Sequence, residues 1–568
     1  MYYAIGITII SQLFVGCNRS STRANTVAAS KRREHIKERS FSFTIGEPEF
    51  IDPNMIAESE GSRIATQLFE GLLNVAADGI EIVPGVARSW STSPDGKTVT
   101  FVLREDACWS DGTRITAEDF IYSWKRALSP ETQSPAVQNF WPILGAKAFS
   151  KGDRRSFSSV GVHATSPYVL MVELENPTPF FTTLVSSATF APIPRHRVEK
   201  HGSKWTRPEH IVSNGPFKLT HWRHREYIKM SKNPRYWNKD NVWIEKIVAY
   251  HSEDKRMSFR WYENGKVDWL PHGNISADQA NILIQQNRAD LVIDPLLCVY
   301  NYIFNMNRPP FDDVNVRRAF NMALDKGKIV RQVTGTNQRP AGTFVPTYMT
   351  DAGLHPGVRG EAFDPGKAKE LLAASRYGEH ASSQTMPKIE LIYNTDEMHR
   401  RIAEFAQQSW QTYLGVEVTI SNMEWKSMLK KVRTKDFQLV RSGWCADYPD
   451  PINFLDVFES DSSLNRSGFV SKVYDQLLER IRSEPDTAKR LSVLGEAELV
   501  LLRDTPVVPV YFYTQAYMVK SYVQGFARQF QDNRLFKYIR YASDFKTQLE
   551  IKKSDHNLKG LVRVQGAK

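Results

Sequence analysis

The first half of the chain carries short hydrophobic runs separated by turn residues. Positions 98–103 and 169–174 are runs of about six residues rich in Val and Leu. Both follow turn sequences, Ser-Pro-Asp-Gly at 93–96 and Ser-Pro at 166–167. Short hydrophobic runs bounded by such turns are typical of β-strands. The pattern predicts a subdomain that is mostly β.

After about residue 310 the pattern changes to strands alternating with helices. Val316, Phe320 and Leu324 lie four residues apart and share one face of a helix,. Asp364 followed by Pro365 is typical of a helix start,. The predicted order continues with a strand at 388–393, a helix near 401–413, a strand at 416–420, a further helix and a strand at 437–444. Such alternation predicts an α/β fold with a parallel sheet.

Ligands of open parallel sheets bind beyond the carboxyl ends of the strands. His399 comes shortly after the predicted strand that ends at Tyr393, and Asp447 comes directly after the one that ends at Trp444. Both side chains are therefore candidates for ligand contact.

Length and charge refine this picture. At 568 residues and 65.0 kDa the chain exceeds the size of one hydrophobic core, so two or three domains are expected. The net charge of +11 lies mostly at the ends: residues 19–39 hold seven basic residues against two acidic ones, and residues 546–568 hold six against two. A nearly neutral body argues against nucleic acid as a partner, and the basic ends suit an anionic membrane surface.

The N-terminus has the pattern of an export signal. An apolar run at 4–15 leads into Gly16 and Cys17, and it is short for a membrane span. It resembles a lipoprotein signal, in which the cysteine is lipidated and becomes the mature N-terminus. A non-lipidated export signal remains the alternative, and residues 18–40 then form a basic, flexible tether. The body is expected outside the cytoplasm, in the periplasm.

Enzyme templates do not fit. The sequence lacks His-Glu-x-x-His, Cys-x-x-Cys and Gly-x-Ser-x-Gly patterns, and its histidines are scattered singly,. We therefore expect no catalytic residues, no metal site and no cofactor.

Four cysteines remain to be placed. Cys17 is the candidate for lipidation, and Cys108, between aromatic and turn residues, is expected to be a buried free thiol,. Cys298 and Cys445 are left, and an oxidising compartment would pair them.

Several motifs together resemble the periplasmic oligopeptide-binding proteins of bacterial oligopeptide permeases, which are family 5 extracellular solute-binding proteins. The resemblance covers about residues 41–545, and the most specific stretch is 443–448 (Gly-Trp-Cys-Ala-Asp-Tyr). The other matching motifs are 68–72 (Leu-Phe-Glu-Gly-Leu), 109–112 (Trp-Ser-Asp-Gly), 116–120 (Thr-Ala-Glu-Asp-Phe), 213–215 (Ser-Asn-Gly), 234–238 (Pro-Arg-Tyr-Trp-Asn), 294–298 (Asp-Pro-Leu-Leu-Cys), and 393–395 (Tyr-Asn-Thr) with His399.

The resemblance implies a type II periplasmic-binding-protein-like fold: two lobes joined by a two-stranded hinge, with an extra β-rich subdomain inserted. Carried over to this sequence, domain I would comprise 41–69, 196–297 and 515–545, domain II 70–195 and domain III 298–514. Residues 546–568 would form a basic tail. The implied function is capture of short peptides for an ABC importer by a monomeric protein.

The resemblance also implies site roles. Asp447 would pair with the α-amino group of the peptide, and Arg441 and His399 would receive its carboxylate at particular lengths. Trp425 and Trp444 would wall side-chain pockets beside the Gly443 backbone and the Cys298–Cys445 disulfide. The alternatives for these residues are structural: a turn or helix cap for Asp447, a structural Arg441 and core tryptophans. Dipeptide or murein tripeptide binding, and a surface adhesin or antigen, remain alternative functions.

Overall fold

The computed structural model describes residues 38–542 except 57, 78–80, 350–357, 379–384, 447, 463, 485 and 527–533. The predicted export signal with Cys17, most of the tether, Asp447 and the basic C-terminal tail lie outside the described residues.

One large mixed sheet organises the molecule. Within the described residues, eleven strands join in the order β15-β14-β16-β12-β17-β11-β1-β10-β9-β8, with β13 paired to β17. The strands are β1 Ser40–Ile45, β2 Leu73–Val75, β3 Ile82–Pro84, β4 Ala87–Thr92, β5 Thr98–Leu103, β6 Val162–Ser166, β7 Val169–Glu173, β8 Phe217–Arg223, β9 Tyr227–Lys232, β10 Lys246–His251, β11 Trp269–Leu270, β12 Leu291–Phe304, β13 Arg339–Pro340, β14 Ile389–Asn394, β15 Val418–Met423, β16 Leu439–Cys445, β17 Val507–Val519, β18 Val523–Gln524 and β19 Arg540–Tyr541.

Two long antiparallel strands, β12 and β17, run through the centre of this sheet. The amino-terminal end of β12, at Leu291, and the carboxyl-terminal end of β17, at Met518, pack against the hydrophobic cluster around Tyr262 and Leu283. Further along, Tyr300 of β12 belongs to a separate cluster that spans β14–β16 and the helices beside them. The two strands therefore pass from one lobe of the α/β fold into the other.

Helices occur in both lobes and in the inserted region. The α-helices are α1 Ser59–Leu68, α2 Ala117–Leu128, α3 Ala146–Ser150, α4 Phe181–Leu184, α5 Arg195–His201, α6 Lys255–Glu263, α7 Ala277–Gln285, α8 Val314–Met322, α9 Lys326–Lys328, α10 Pro365–Ala373, α11 Glu397–Leu414, α12 Trp425–Arg433, α13 Ile452–Leu455, α14 Lys472–Ser483 and α15 Thr487–Asp504. A π-helical turn, Ile329–Thr334, follows α9. Short 3-10 helices lie at Pro130–Thr132, Val137–Phe140, Phe157–Ser159, Ala188–Phe190, Gly202–Lys204, Lys239–Asn241, Asp456–Phe458 and Phe536–Tyr538.

The predicted β-rich region is present. Strands β4, β5, β7 and β6 form a four-stranded antiparallel sheet in that order. Its buried face, including Phe101 and Leu170, joins the same hydrophobic cluster as Phe43 of β1. The inserted subdomain thus shares a continuous core with the first lobe.

The strand and helix order predicted after residue 310 is confirmed to within a few residues. Asp364 caps α10, since its carboxylate accepts a hydrogen bond from the backbone of Lys367. The parallel sheet predicted from these alternating strands and helices is confirmed for β14, β15 and β16, although the sheet of this lobe as a whole is mixed. β14 is parallel to β15 and β16, but β16 is antiparallel to β12. The long strands that connect the lobes impose the antiparallel direction.

Candidate functional site

The carboxyl-terminal half of β16 has an unpaired edge. β16 pairs with β12 along its whole length, from Leu439 opposite Phe304 to Cys445 opposite Cys298. On its other side it pairs with β14 only at Leu439 and Val440. In the part of the chain that the structure describes, no strand continues along this side past Val440. An extended chain could add there by backbone hydrogen bonds, beside the exposed Gly443.

A disulfide closes the end of this strand pair. Cys298 and Cys445 are bonded across directly opposed positions of β12 and β16, with their Cα atoms 4.0 Å apart. Cys298 is buried and Cys445 is exposed. The bond ties the last residue of β16 to one of the two strands that connect the lobes. The remaining described cysteine, Cys108, is a free thiol. It is partly exposed rather than buried as predicted, because the β-bridge that its backbone forms with Arg114 lies at the surface edge of a turn.

Arg441 lies in β16 with only 8% of its surface exposed. Its guanidinium donates hydrogen bonds to Asn394 Oδ1 at 3.1 Å and to the Tyr513 hydroxyl at 2.5 Å. The same group lies over the Tyr300 ring, 4.7 Å from its centroid. Burial opposes the charged form, but the phenol groups of Tyr513 and Tyr300 raise the pKa of Arg441 overall. Arg441 is thus a buried cation without a carboxylate among the hydrogen-bond partners that the structure describes.

His399 lies beside this cation, in the first turn of α11. Its side chain is 14% exposed, and its ring is 5.5 Å from that of Tyr300. Burial, and then the positive charge of Arg441, lower the pKa of His399 from 6.5 to about 4, so the ring is neutral at pH 7. Because the unfolded chain takes up this proton at a higher pH than the folded chain does, protonation removes stability as the pH falls from about 6.5 towards 4,.

Two nitrogens of this pair have unused hydrogen-bonding capacity. Arg441 Nε and His399 Nδ1 are buried and make no hydrogen bond within the described residues. Burying polar atoms without partners costs about 1–3 kcal/mol each. A guanidinium together with an adjacent imidazole is suited to receive a carboxylate. The structure therefore brings the two predicted residues together in a site with the chemistry of anion recognition.

Trp444 faces a cavity of about 610 Å³. Its indole nitrogen donates a hydrogen bond to Asn453 Oδ1 at 3.2 Å. The opposite wall of the cavity comes from the inserted β-rich region, with Trp141 and Phe180 among its residues. The cavity therefore lies between that region and the second lobe, and a wall role for Trp444 is compatible with its position.

Trp425 is placed differently. It is the first residue of α12, 49% of its surface is exposed, and it lies apart from the residues that line this cavity. Its role as a pocket wall stays a prediction, as does the role of Asp447.

The model of the family described as "Bacterial extracellular solute-binding proteins, family 5 Middle" matches residues 81–465, more than half of the chain. The chain belongs to this family. The oligopeptide-binding protein OppA of Bacillus subtilis is 36% identical to this solute-binding protein over 488 residues, which is 84% of this chain and 88% of the relative.

Solved structures are also similar. The Haemophilus influenzae OppA complex with the peptide RPPGFSPFR superposes with a TM-score of 0.73 at 30% identity, covering 89% of this chain and 99% of that one. The Escherichia coli murein tripeptide binding protein MppA gives 0.73 at 30% identity, covering 88% and 98%. These likenesses establish the type II periplasmic-binding-protein-like fold.

Sequence reasoning missed the aromatic surroundings of Arg441 in this solute-binding protein. Tyr300 and Tyr302 of β12 and Tyr511 and Tyr513 of β17 form a contiguous ring cluster. The signal was present, since both pairs are spaced by two residues, the period that places side chains on one face of a strand,. That the two strands are neighbours could not be read from the spacing.

Within the described residues, no helix is both long and apolar enough to cross a bilayer. No group of three or more His, Cys, Asp or Glu side chains there could hold a metal ion.

Proposed function

We propose that this protein captures short peptides through their backbone and termini and delivers them to an ABC importer. The buried pair Arg441 and His399 carries the proposal, because its unused nitrogens lie next to a strand edge that is open to an extended chain. A peptide is extended and zwitterionic, so a binder of varied sequences must use the main chain and the charged ends.

The roles follow the direction of β16. The peptide would lie along residues 442–445, where the small side chains of Ser442 and Gly443 leave the backbone accessible. Arg441 and His399 would hold the carboxylate, and Asp447 at the far end would pair with the α-amino group. The ligands would be peptides of about two to five residues, with length measured at Arg441 and His399.

The domain organisation serves this capture. We infer that β12 and β17 act as the hinge between a lobe formed by domains I and II and a lobe formed by domain III, with the predicted boundaries. Binding between the lobes would favour a closed arrangement. The protein would act as a monomer without a cofactor and without catalysis, so a bound peptide is released chemically intact.

Export and anchoring complete the proposal. The relatives include periplasmic proteins of the same family, and the apolar segment at 4–15 with Cys17 supports export followed by attachment to a membrane through a lipid. The basic residues of the tether and tail would then lie near anionic headgroups.

A murein peptide specialist is the second candidate, because the MppA structures are at least as similar as the oligopeptide binders. That function would be favoured if Glu58 contacted an unusual acidic, branched ligand. Glu58 instead caps α1, accepting hydrogen bonds from the backbone of Gly61 at 2.6 Å and of Glu49 at 3.1 Å. This local role favours general peptide binding.

Competition calorimetry separates the two candidates. A random tripeptide library and murein tripeptide are titrated into ligand-free protein at one ionic strength. General binding predicts measurable affinity for much of the library, because water can fill the space left by varied side chains. Tight murein binding with no affinity for the library would overturn the general function.

An Arg441→Ala variant should lose affinity unevenly across peptide lengths.

A further inference from the structure

Two aromatic rings meet across the cavity between the inserted β-rich region and the second lobe. The rings of Phe180 and Tyr448 are stacked with their centroids 4.4 Å apart and their planes within 8°. Phe180 directly precedes α4, and Tyr448 lies three residues beyond the end of β16. Both residues line the cavity that Trp444 also faces.

The stack joins two otherwise separate cores. Phe180 packs against the hydrophobic cluster of the first lobe and the inserted region, and also against the cluster that contains Phe454 and Leu455 of the second lobe. Tyr448 contacts the same two clusters. The pair is therefore a hydrophobic connection between the two lobes, made by residues outside the strands β12 and β17.

The backbone that carries each ring is held in place by local restrictions and hydrogen bonds. Pro177 and Pro179 restrict the backbone before Phe180, and the Phe180 carbonyl accepts hydrogen bonds from the backbone of Thr183 and Leu184 at 3.0 and 3.1 Å. On the other side, the Tyr448 carbonyl accepts one from the backbone of Asp450 at 2.8 Å.

The support under Tyr448 continues into the second lobe. The Asp450 carboxylate receives two hydrogen bonds from the buried Arg490 guanidinium, at 2.8 and 2.9 Å. At the start of the segment, the backbone of Ala446 donates to the carbonyl of Leu297 in β12 at 2.8 Å. Ala446 and Asp450, on either side of Tyr448 in the sequence, are thus both hydrogen-bonded to neighbouring elements, and the Tyr448 ring contacts the opposite lobe.

We propose that Phe180 is a positioning residue for peptide binding: its ring fixes the Tyr448 ring in the geometry that retains a bound peptide. The inference rests on the proposed function. It assigns to the inserted β-rich subdomain an indirect part in ligand retention. Phe180 acts through Tyr448 and needs no contact with the peptide.

A stacked pair of this kind is worth enough to change affinity measurably, and changes within one interface act mainly on dissociation. Phe180→Ala is therefore expected to raise the dissociation rate of a bound tripeptide about 10-fold and to leave the association rate within about 2-fold. Phe180→Tyr, which keeps the ring, should restore the wild-type rate. The probe is a tripeptide selected from the library by calorimetry, followed in stopped flow by tryptophan fluorescence.

Two controls keep the result interpretable. Phe157→Ala removes a ring from another aromatic pair of the same subdomain, Phe149 with Phe157 at 5.4 Å, and should leave both rates unchanged. The double variant Phe180→Ala/Tyr448→Ala should dissociate no faster than the faster single variant, because both changes remove one contact. Thermal unfolding of each variant identifies any that fails to fold; if Phe180→Ala does, Phe180→Leu takes its place with the same expected loss.

The outcomes separate the two levels of the proposal. Unchanged dissociation in folded Phe180→Ala, or additive effects in the double variant, overturn the positioning role and leave the proposed function intact. A wild-type protein that binds no tripeptide of the library overturns the proposed function, and this inference with it.

Discussion

Replacing Asp447 with Asn is expected to weaken the binding of a free tripeptide by about 100-fold or more, while binding of the N-acetylated form of the same peptide changes little. Removing one partner of a desolvated ion pair costs roughly 3–5 kcal/mol, because the other charge is left buried and unpaired. The acetylated peptide has no ammonium group to lose its partner. Calorimetric titration of both peptides into both proteins measures the difference.

A matched change tests whether the effect belongs to this carboxylate. Asp461 lines the cavity but lies on another segment of the second lobe, and Asp461→Asn should affect the free and the acetylated peptide alike. The Asp447→Asn protein should still unfold cooperatively, because residue 447 follows a strand rather than lying within its core. Equal losses for the two peptides in Asp447→Asn would contradict the assignment of the ammonium partner.

Replacing both Cys298 and Cys445 with Ala is expected to lower the free energy of unfolding of the second lobe by about 2–4 kcal/mol. The disulfide closes a loop between residues separated by 147 positions, and a long closed loop restricts the unfolded chain more than a short one. Urea denaturation followed by circular dichroism, with and without reductant, gives the change in midpoint.

The free thiol provides the control for this change. Cys108→Ala removes a cysteine that is not cross-linked, so its free energy of unfolding should stay within about 0.5 kcal/mol of the wild-type value. Reductant should lower the midpoint of the wild type and of Cys108→Ala, and leave that of the double variant unchanged. Equal midpoints for wild type and double variant under oxidising conditions would show that the cross-link does not stabilise the lobe.

Local patterns predicted much of the fold. The strand Thr98–Leu103 and the capped start of α10 at Pro365 lie where turn residues and the Asp-Pro pair placed them, since both signals act within a few residues. Strand direction, by contrast, depends on residues that are far apart in the sequence. The antiparallel pairing of β16 with β12 joins residues more than 130 positions apart, and no local spacing encodes it.

In the candidate site, too, the sequence predicts individual residues but not the contacts between distant segments. The position after a predicted strand indicates His399, the family resemblance implies Arg441, and the structure brings both to the Tyr300 ring. Within the described residues, Arg441 Nε and His399 Nδ1 lack hydrogen-bond partners and the His399 ring is neutral because both side chains are buried, and this burial depends on the neighbouring strands and helices. The stacking of the Phe180 ring on the Tyr448 ring joins residues of two subdomains, so the sequence of either segment alone could not predict it.

The most direct test of peptide capture is native mass spectrometry of the full chain purified from a bacterial envelope, followed by release of its ligand under denaturing conditions. We expect a one-to-one complex that releases a mixture of intact peptides of about two to five residues, and a lower occupancy in Asp447→Asn. A chain that carries no peptide and gains no mass when incubated with the tripeptide library would contradict peptide capture.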